Sequence, residues 1–179
     1  MPNLRQPIIY TRVQFTIKDK LGWTPFHWAC KNGHFEVAEL ILQKSIQLNI
    51  ELDAKDVNSR TPLHLACIKG HLNIAEMILE KSVILNIDIT ATNRYGQTAY
   101  EEANINGHSK TAEMLVKKCT ELHINLISFC NLKNGETPLH LATRMGDFEM
   151  FKNMIENSPP LKIKLNVKGT YEGLALSHN

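Results

Sequence analysis

The 179 residues carry 20 basic and 18 acidic side chains, a formal net charge of +2, and 43% of them are hydrophobic. This is the size and composition of one ordinary globular domain, and a charge so near balance says little about partners. No basic start leads into an apolar h-region, no run approaches the roughly 18 apolar residues of a membrane span, and four cysteines do not make a disulfide scaffold, so a cytosolic or nuclear location is expected.

Residues 1–18 match nothing else in the chain until about Thr16. Ile8, Ile9, Val13, Phe15 and Ile17 alternate in part, the pattern of a strand or of a cover for the face that follows. Thr24-Pro25-Phe26-His27-Trp28-Ala29-Cys30 then opens a unit. Threonine before proline starts a helix: the hydroxyl accepts an orphan backbone N–H, and proline at the first helical position forfeits no bond. This helix A must stop before Gly33, because glycine takes the left-handed conformation at a helix end. After His34 a helix B carries Ala38, Ile41, Leu42, Ser45 and Leu48 on one stripe.

The unit returns three times. Thr61-Pro62-Leu63-His64-Leu65-Ala66-Cys67 is a close copy, Thr98 with Gly107-His108 marks a degraded one, and Thr137-Pro138-Leu139-His140-Leu141-Ala142 begins the last, in which Asp147 replaces the expected histidine. The threonines 24, 61, 98 and 137 step by 37, 37 and 39 residues, and the glycines 33, 70, 107 and 146 keep the same steps. Two independent markers in one register make this a repeat array. The helix B stripe recurs as Ala75, Ile78, Leu79, Ser82 and Leu85, then as Ala112, Leu115, Val116, Cys119 and Leu122. The last helix B must end by Pro159-Pro160, and Lys168 to Leu174 looks like the opening arm of a fifth unit, so a fragment of a longer array is one reading.

Thr-Pro-Leu-His-x-Ala followed by Gly-His resembles the ankyrin repeat, whose usual period is about 33 residues. The resemblance covers about residues 19–166 and implies an all-α solenoid of stacked helix-turn-helix units with β-turn or hairpin arms. The repeats fall at about 19–55, 56–92, 93–131 and 132–166, with a tail or cap at 1–18 and a partial repeat or tail at 167–179. Asn49-Ile50-Glu51-Leu52-Asp53-Ala54 and Asn86-Ile87-Asp88-Ile89-Thr90-Ala91 stand where the family has a segment such as Gly-Ala-Asp-Val-Asn-Ala. The added residues 45–48 and 82–85 keep the helical spacing, so helix B is predicted to be one turn longer and capped by Asn. The rival is an extended arm, since Ile46, Leu48, Ile50 and Leu52 also alternate. Ser59 takes the turn position held elsewhere by Gly22, Gly96 and Gly135, and its turn is expected to differ or be strained.

Two motifs suggest chemistry. His27-x-x-Cys30 and His64-x-x-Cys67 would each put two zinc ligands on one helix face, but no second pair completes four. The resemblance gives these histidines a structural role instead, the ring bonding back to the threonine and across to the next turn. The cysteines then replace a small buried residue, and reduced thiols are expected, although a bridge between neighbouring helices A stays open. Glu101 and Glu102 point about 100° apart on a helix and have no nucleophile to serve, so they read as replacements for the repeat's His and Leu. No nucleophile elbow, phosphate loop or zinc-protease helix is present. The expectation is a non-enzyme with no metal and no cofactor.

In ankyrin proteins the arm tips and the exposed end of helix A vary and bind partners. The matching positions here are Lys20, Leu21, Trp23, Lys31 and Asn32, then Val57, Asn58, Arg60, Ile68 and Lys69, then Arg94, Tyr95, Gln97, Ile105 and Asn106, then Lys133, Asn134, Glu136, Arg144 and Met145. Lys20, Lys31, Arg60, Lys69, Arg94, Lys133 and Arg144 face the single anion Glu136, which points to an acidic segment of a protein partner. Trp23, with Tyr95 and Arg60 or Arg94, is of the residue types that anchor interfaces, and Trp23 is the first choice of hot spot. Binding of nucleic acid by the same face is a weaker alternative, because the pI of about 8.3 lies below the usual footprint above about 9. A recognition fragment of a larger enzyme or channel is another.

Overall fold

The computed structural model describes residues 14–122, 124, 138–146 and 148–156. The chain forms two compact units, Met1–Asn131 and Leu132–Asn179. In the first unit three helix pairs follow one another: α1 (Pro25–Asn32) with α2 (Phe35–Leu48), α3 (Pro62–Lys69) with α4 (Leu72–Leu85), and α5 (Ala99–Ile105) with α6 (Ser109–Glu121). The helices A, α1, α3 and α5, stack in one row, and the helices B, α2, α4 and α6, stack in a second. In the second unit α7 (Pro138–Met145) pairs with α8 (Phe148–Glu156). The fold is an all-α solenoid, and among the described residues the arms contribute turns and one isolated bridge, Thr92 with Thr98, rather than strands.

Each helix A starts on a reciprocal cap. The Thr24 amide donates to His27 Nδ1 at 3.1 Å, and the Thr61 amide donates to His64 Nδ1 at 3.2 Å. The far nitrogen of each ring reaches the next arm: Nε2 lies 3.3 Å from the Arg60 carbonyl for His27 and 3.1 Å from the Gln97 carbonyl for His64. The ring-to-threonine and ring-to-next-turn contacts implied by the resemblance are both present. In the third repeat Glu101 takes over the near half of this task, its Oε2 accepting from the Thr98 amide at 2.9 Å.

Gly33 and Gly70 end helix A in the left-handed region, with φ of 75° and 68°. Their lack of a side chain has a second cause. A Cβ at Gly33 would sit 2.7 Å from the His71 ring, and one at Gly70 would sit 2.5 Å from the His108 ring. Those rings cross between repeats to the carbonyls of Lys31 and Ile68, both at 3.0 Å.

The extended-arm alternative for residues 45–48 and 82–85 does not hold. Helices α2 and α4 run 14 residues each and end on Asn49 and Asn86, both left-handed with φ of 47° and 51°. Ser45 and Ser82 turn inward and donate to the carbonyls of Leu42 and Leu79, so the added turn faces the core with its hydroxyls satisfied. Helix α6 has 13 residues and ends at Leu122 with φ of −88°, so the third repeat lacks the left-handed cap. The core is one apolar spine shared by neighbours, from Phe26, Ile41 and Leu42 through Leu63, Ile74, Ile78 and Leu79 to Leu115 and Val116. Cys30, Cys67 and Cys119 lie within it as free thiols, and burial drives the Cys30 and Cys67 thiols further from ionisation. Of the proposed N-terminal cover, Ile8, Ile9 and Val13 lie outside the described residues, Phe15 is half-buried and Ile17 is exposed.

Candidate functional site

The arms are built by one local rule repeated three times. Asp19 Oδ1 accepts from the amides of Leu21 and Trp23, Asp56 Oδ1 from Asn58 and Arg60, and Asn93 Oδ1 from Tyr95 and Gln97. A side chain that bonds its own backbone two and four residues on closes a tight turn. Position four of each turn has positive φ: Gly22 at 76°, Ser59 at 60° and Gly96 at 72°. Ser59 therefore carries the strain expected of it. The Val57 amide donates to the Leu21 carbonyl at 3.1 Å and the Arg94 amide to the Asn58 carbonyl at 2.9 Å, which locks neighbouring tips in register.

On this frame Lys20, Leu21, Lys69, Arg94 and Tyr95 are exposed, and Lys31, Arg60, Ile68 and Gln97 are half-buried. Bonds between neighbouring arms set the tips that carry Leu21, Val57 and Arg94 side by side. Arg94 Nη2 also donates to the Val57 carbonyl at 3.2 Å, and Gln97 Oε1 accepts from Asn93 Nδ2 at 3.0 Å. Arg144 is exposed on α7 in the second unit, Met145 ends that helix, and Lys133 lies outside the described residues, as do Asn134 and Glu136.

Two expectations are corrected. Trp23 is 6% exposed, because its indole turns into the neighbouring arm and donates to Asp56 Oδ2 at 2.9 Å. The tryptophan that meets solvent is Trp28, 40% exposed, at the slot where the next repeat buries Leu65. The only sequence signal for it was an aromatic at a slot filled by leucine in two other copies. Trp28 packs edge-on against Trp23 with ring centroids 4.6 Å apart, and Lys31 Nζ stands 4.5 Å from the Trp23 ring and 5.1 Å from the Trp28 ring.

The second correction concerns charge. Arg60 is not a free cation: its guanidinium donates to Asp56 Oδ2 at 2.8 Å and the carboxylate is fully covered. Burial pushes the Asp56 carboxyl up, but bonds from the Arg60 amide, the Trp23 indole and the Arg60 guanidinium outweigh it and leave the pKa low. Asp19 is a further anion at the tip, held below the usual range by the Trp23 amide, against desolvation, with help from the Trp28 indole and the Leu21 amide. Of the expected row of cations, those the first unit still presents are Lys20, Lys31, Lys69 and Arg94.

Both ring nitrogens of His27 and of His64 are occupied, so neither ring has a nitrogen to offer a metal. Among the described residues no three His, Cys, Asp or Glu side chains converge on a cation position, and no helix is long and apolar enough to cross a membrane.

The family model for ankyrin repeats in three copies matches residues 6–93 and 50–127, and the single ankyrin repeat model matches residues 134–164. The chain belongs to the ankyrin repeat family. A comparison with curated proteins finds no match. Within the ankyrin array the matched spans cover the three stacked repeats and the α7–α8 pair alike, including the third repeat whose Pro, His and Leu are gone.

Proposed function

Ankyrin repeats are generally protein–protein interaction modules, and we propose that this array is a scaffold or adaptor that recognises a partner protein on the arm-tip and helix A surface of its first three repeats. The observation that carries the reading is the set of exposed anchors on three successive tips, Leu21, Val57 and Tyr95, flanked by Trp28 and by Lys20, Lys31, Lys69 and Arg94. Backbone bonds between arms fix the chain that carries these side chains before binding, which lowers the ordering cost of association. An acidic, partly apolar segment complements them, with the lysines raising encounter rate and the aromatics supplying most of the binding energy.

The test is affinity capture with mass spectrometry, comparing the chain with a Trp28→Ala/Tyr95→Ala double variant. A partner held by this surface drops out of the variant's catch, and its affinity falls as salt rises because the four cations are exposed or half-exposed. Partners retained equally by both proteins at all salt concentrations would place recognition elsewhere.

A further inference from the structure

Three Asn-Gly pairs occur in the chain, Asn32-Gly33, Asn106-Gly107 and Asn134-Gly135, and the last lies outside the described residues. Asparagine before glycine carries a latent reaction, because glycine puts no side chain between its own backbone nitrogen and the carboxamide carbon. The two described pairs hold the same place, where helix A gives way to the turn into helix B, and each is followed by histidine. Asn32 and Asn106 are both exposed, so access to water does not separate them.

The hold on the backbone does. His71 Nε2 reaches the Lys31 carbonyl at 3.0 Å, one residue before Asn32, and its ring covers Gly33 so closely that a Cβ there would lie 2.7 Å away. Asn32 is also the last residue of α1. Asn106 is already outside α5, with φ −88° and ψ 7°. Apart from chain neighbours, no described atom would come within 4 Å of a Cβ at Gly107.

We infer that Asn106-Gly107 is a site of spontaneous modification, deamidation to aspartate and isoaspartate, and that the following repeat shields Asn32-Gly33 from it. The Gly107 backbone nitrogen gives up its proton to solvent and attacks Cγ of Asn106. A C–N bond closes a five-membered imide, the Cγ–Nδ2 bond breaks, and ammonia leaves with a proton from water. A second water opens the imide at either carbonyl, so one carboxamide becomes one carboxylate with no change of oxidation state. Two local bonds must give way first: the Gly107 N–H donates to the Asn104 carbonyl at 3.1 Å, and Asn106 Nδ2 donates to the Glu102 carbonyl at 2.8 Å. Both belong to the end of α5 and open as that end frays. At Gly33 the same motion has to displace the His71 ring and its bridge to Lys31. A carboxylate at Asn106 would offset the positive charge of Lys20, Lys31, Lys69 and Arg94. Its effect on a partner rests on the function proposed above, whereas its formation does not, so the two fail separately.

The experiment incubates the full chain at mildly alkaline pH in heavy-oxygen water, with and without urea, and follows the peptide bearing each pair by mass spectrometry. In the native chain Asn106 should convert at least about tenfold faster than Asn32, because a locked segment opens less often than a frayed end. The product should carry the heavy oxygen. In urea, where no repeat shields its neighbour, the two rates should converge. Asn106→Gln should silence the site, since closure then needs a six-membered ring. The inference is overturned if Asn106 stays intact in the native chain while both pairs convert in urea, or if native Asn32 converts as fast.

Discussion

His27 and His64 show how a single side chain ties one repeat to the next. Each accepts from its own threonine amide at Nδ1 and faces the following arm with Nε2, a pairing that only the neutral ring with its proton on Nε2 satisfies. Burial lowers the pKa of both rings, and it brings His64 from its ordinary 6.5 down to about 4 despite the opposing bond from the Gln97 carbonyl. In the unfolded chain the same ring takes up a proton near 6.5, so the unfolded state binds more protons between these values. The stabilisation is complete above about pH 6.5 and is lost as the pH falls toward about 4. Thermal melts across that range should fall steeply for the native chain, and His64→Ala should flatten this dependence while costing about 3 kcal/mol at neutral pH. Ser59 offers the opposite sign. It holds a φ of 60° that glycine adopts freely, so Ser59→Gly is expected to raise stability by about 0.5–1 kcal/mol in urea titrations.

At the scale of the helix, the extra turn of α2 and α4 depends on how it stops. Asn49 and Asn86 supply the left-handed residue, and the amides of Ile50 and Ile87 return to the carbonyls of Ser45 and Ser82. Asn86→Ala should cost about 1 kcal/mol and Asn86→Gly should cost nothing or stabilise, read from chemical denaturation midpoints. These stops were legible in the sequence, as were Thr-Pro starts and Gly ends, because each is a backbone requirement that one or two residue types meet. Trp23 and Trp28 were not. Their slots could be aligned by counting, but which indole turns inward depends on Asp56 from the next arm, and that pairing appears only once the repeats are stacked. The same holds for Arg60, whose charge is visible in the chain and whose partner is not.

At the scale of the array, the three repeats of the first unit are joined by nearest-neighbour bonds, so their stability is a sum of local terms and need not be lost all at once. The junctions between repeats one and two and between two and three each carry two histidine bridges, from His27 and His71 and from His64 and His108. Repeat two therefore has a bridged junction on either side, and hydrogen exchange is expected to protect the amides of α3 more than those of α1. Equal protection of the two helices would contradict this view of the junctions.

Both tryptophans of the chain sit in the first repeat with their rings in contact and an ammonium above them. Intrinsic indole emission is consequently a gauge of one end of the array alone. A ligand seated beside Trp28 should shift its wavelength or intensity without any label. The protein thus carries its own optical report of binding at the first repeat.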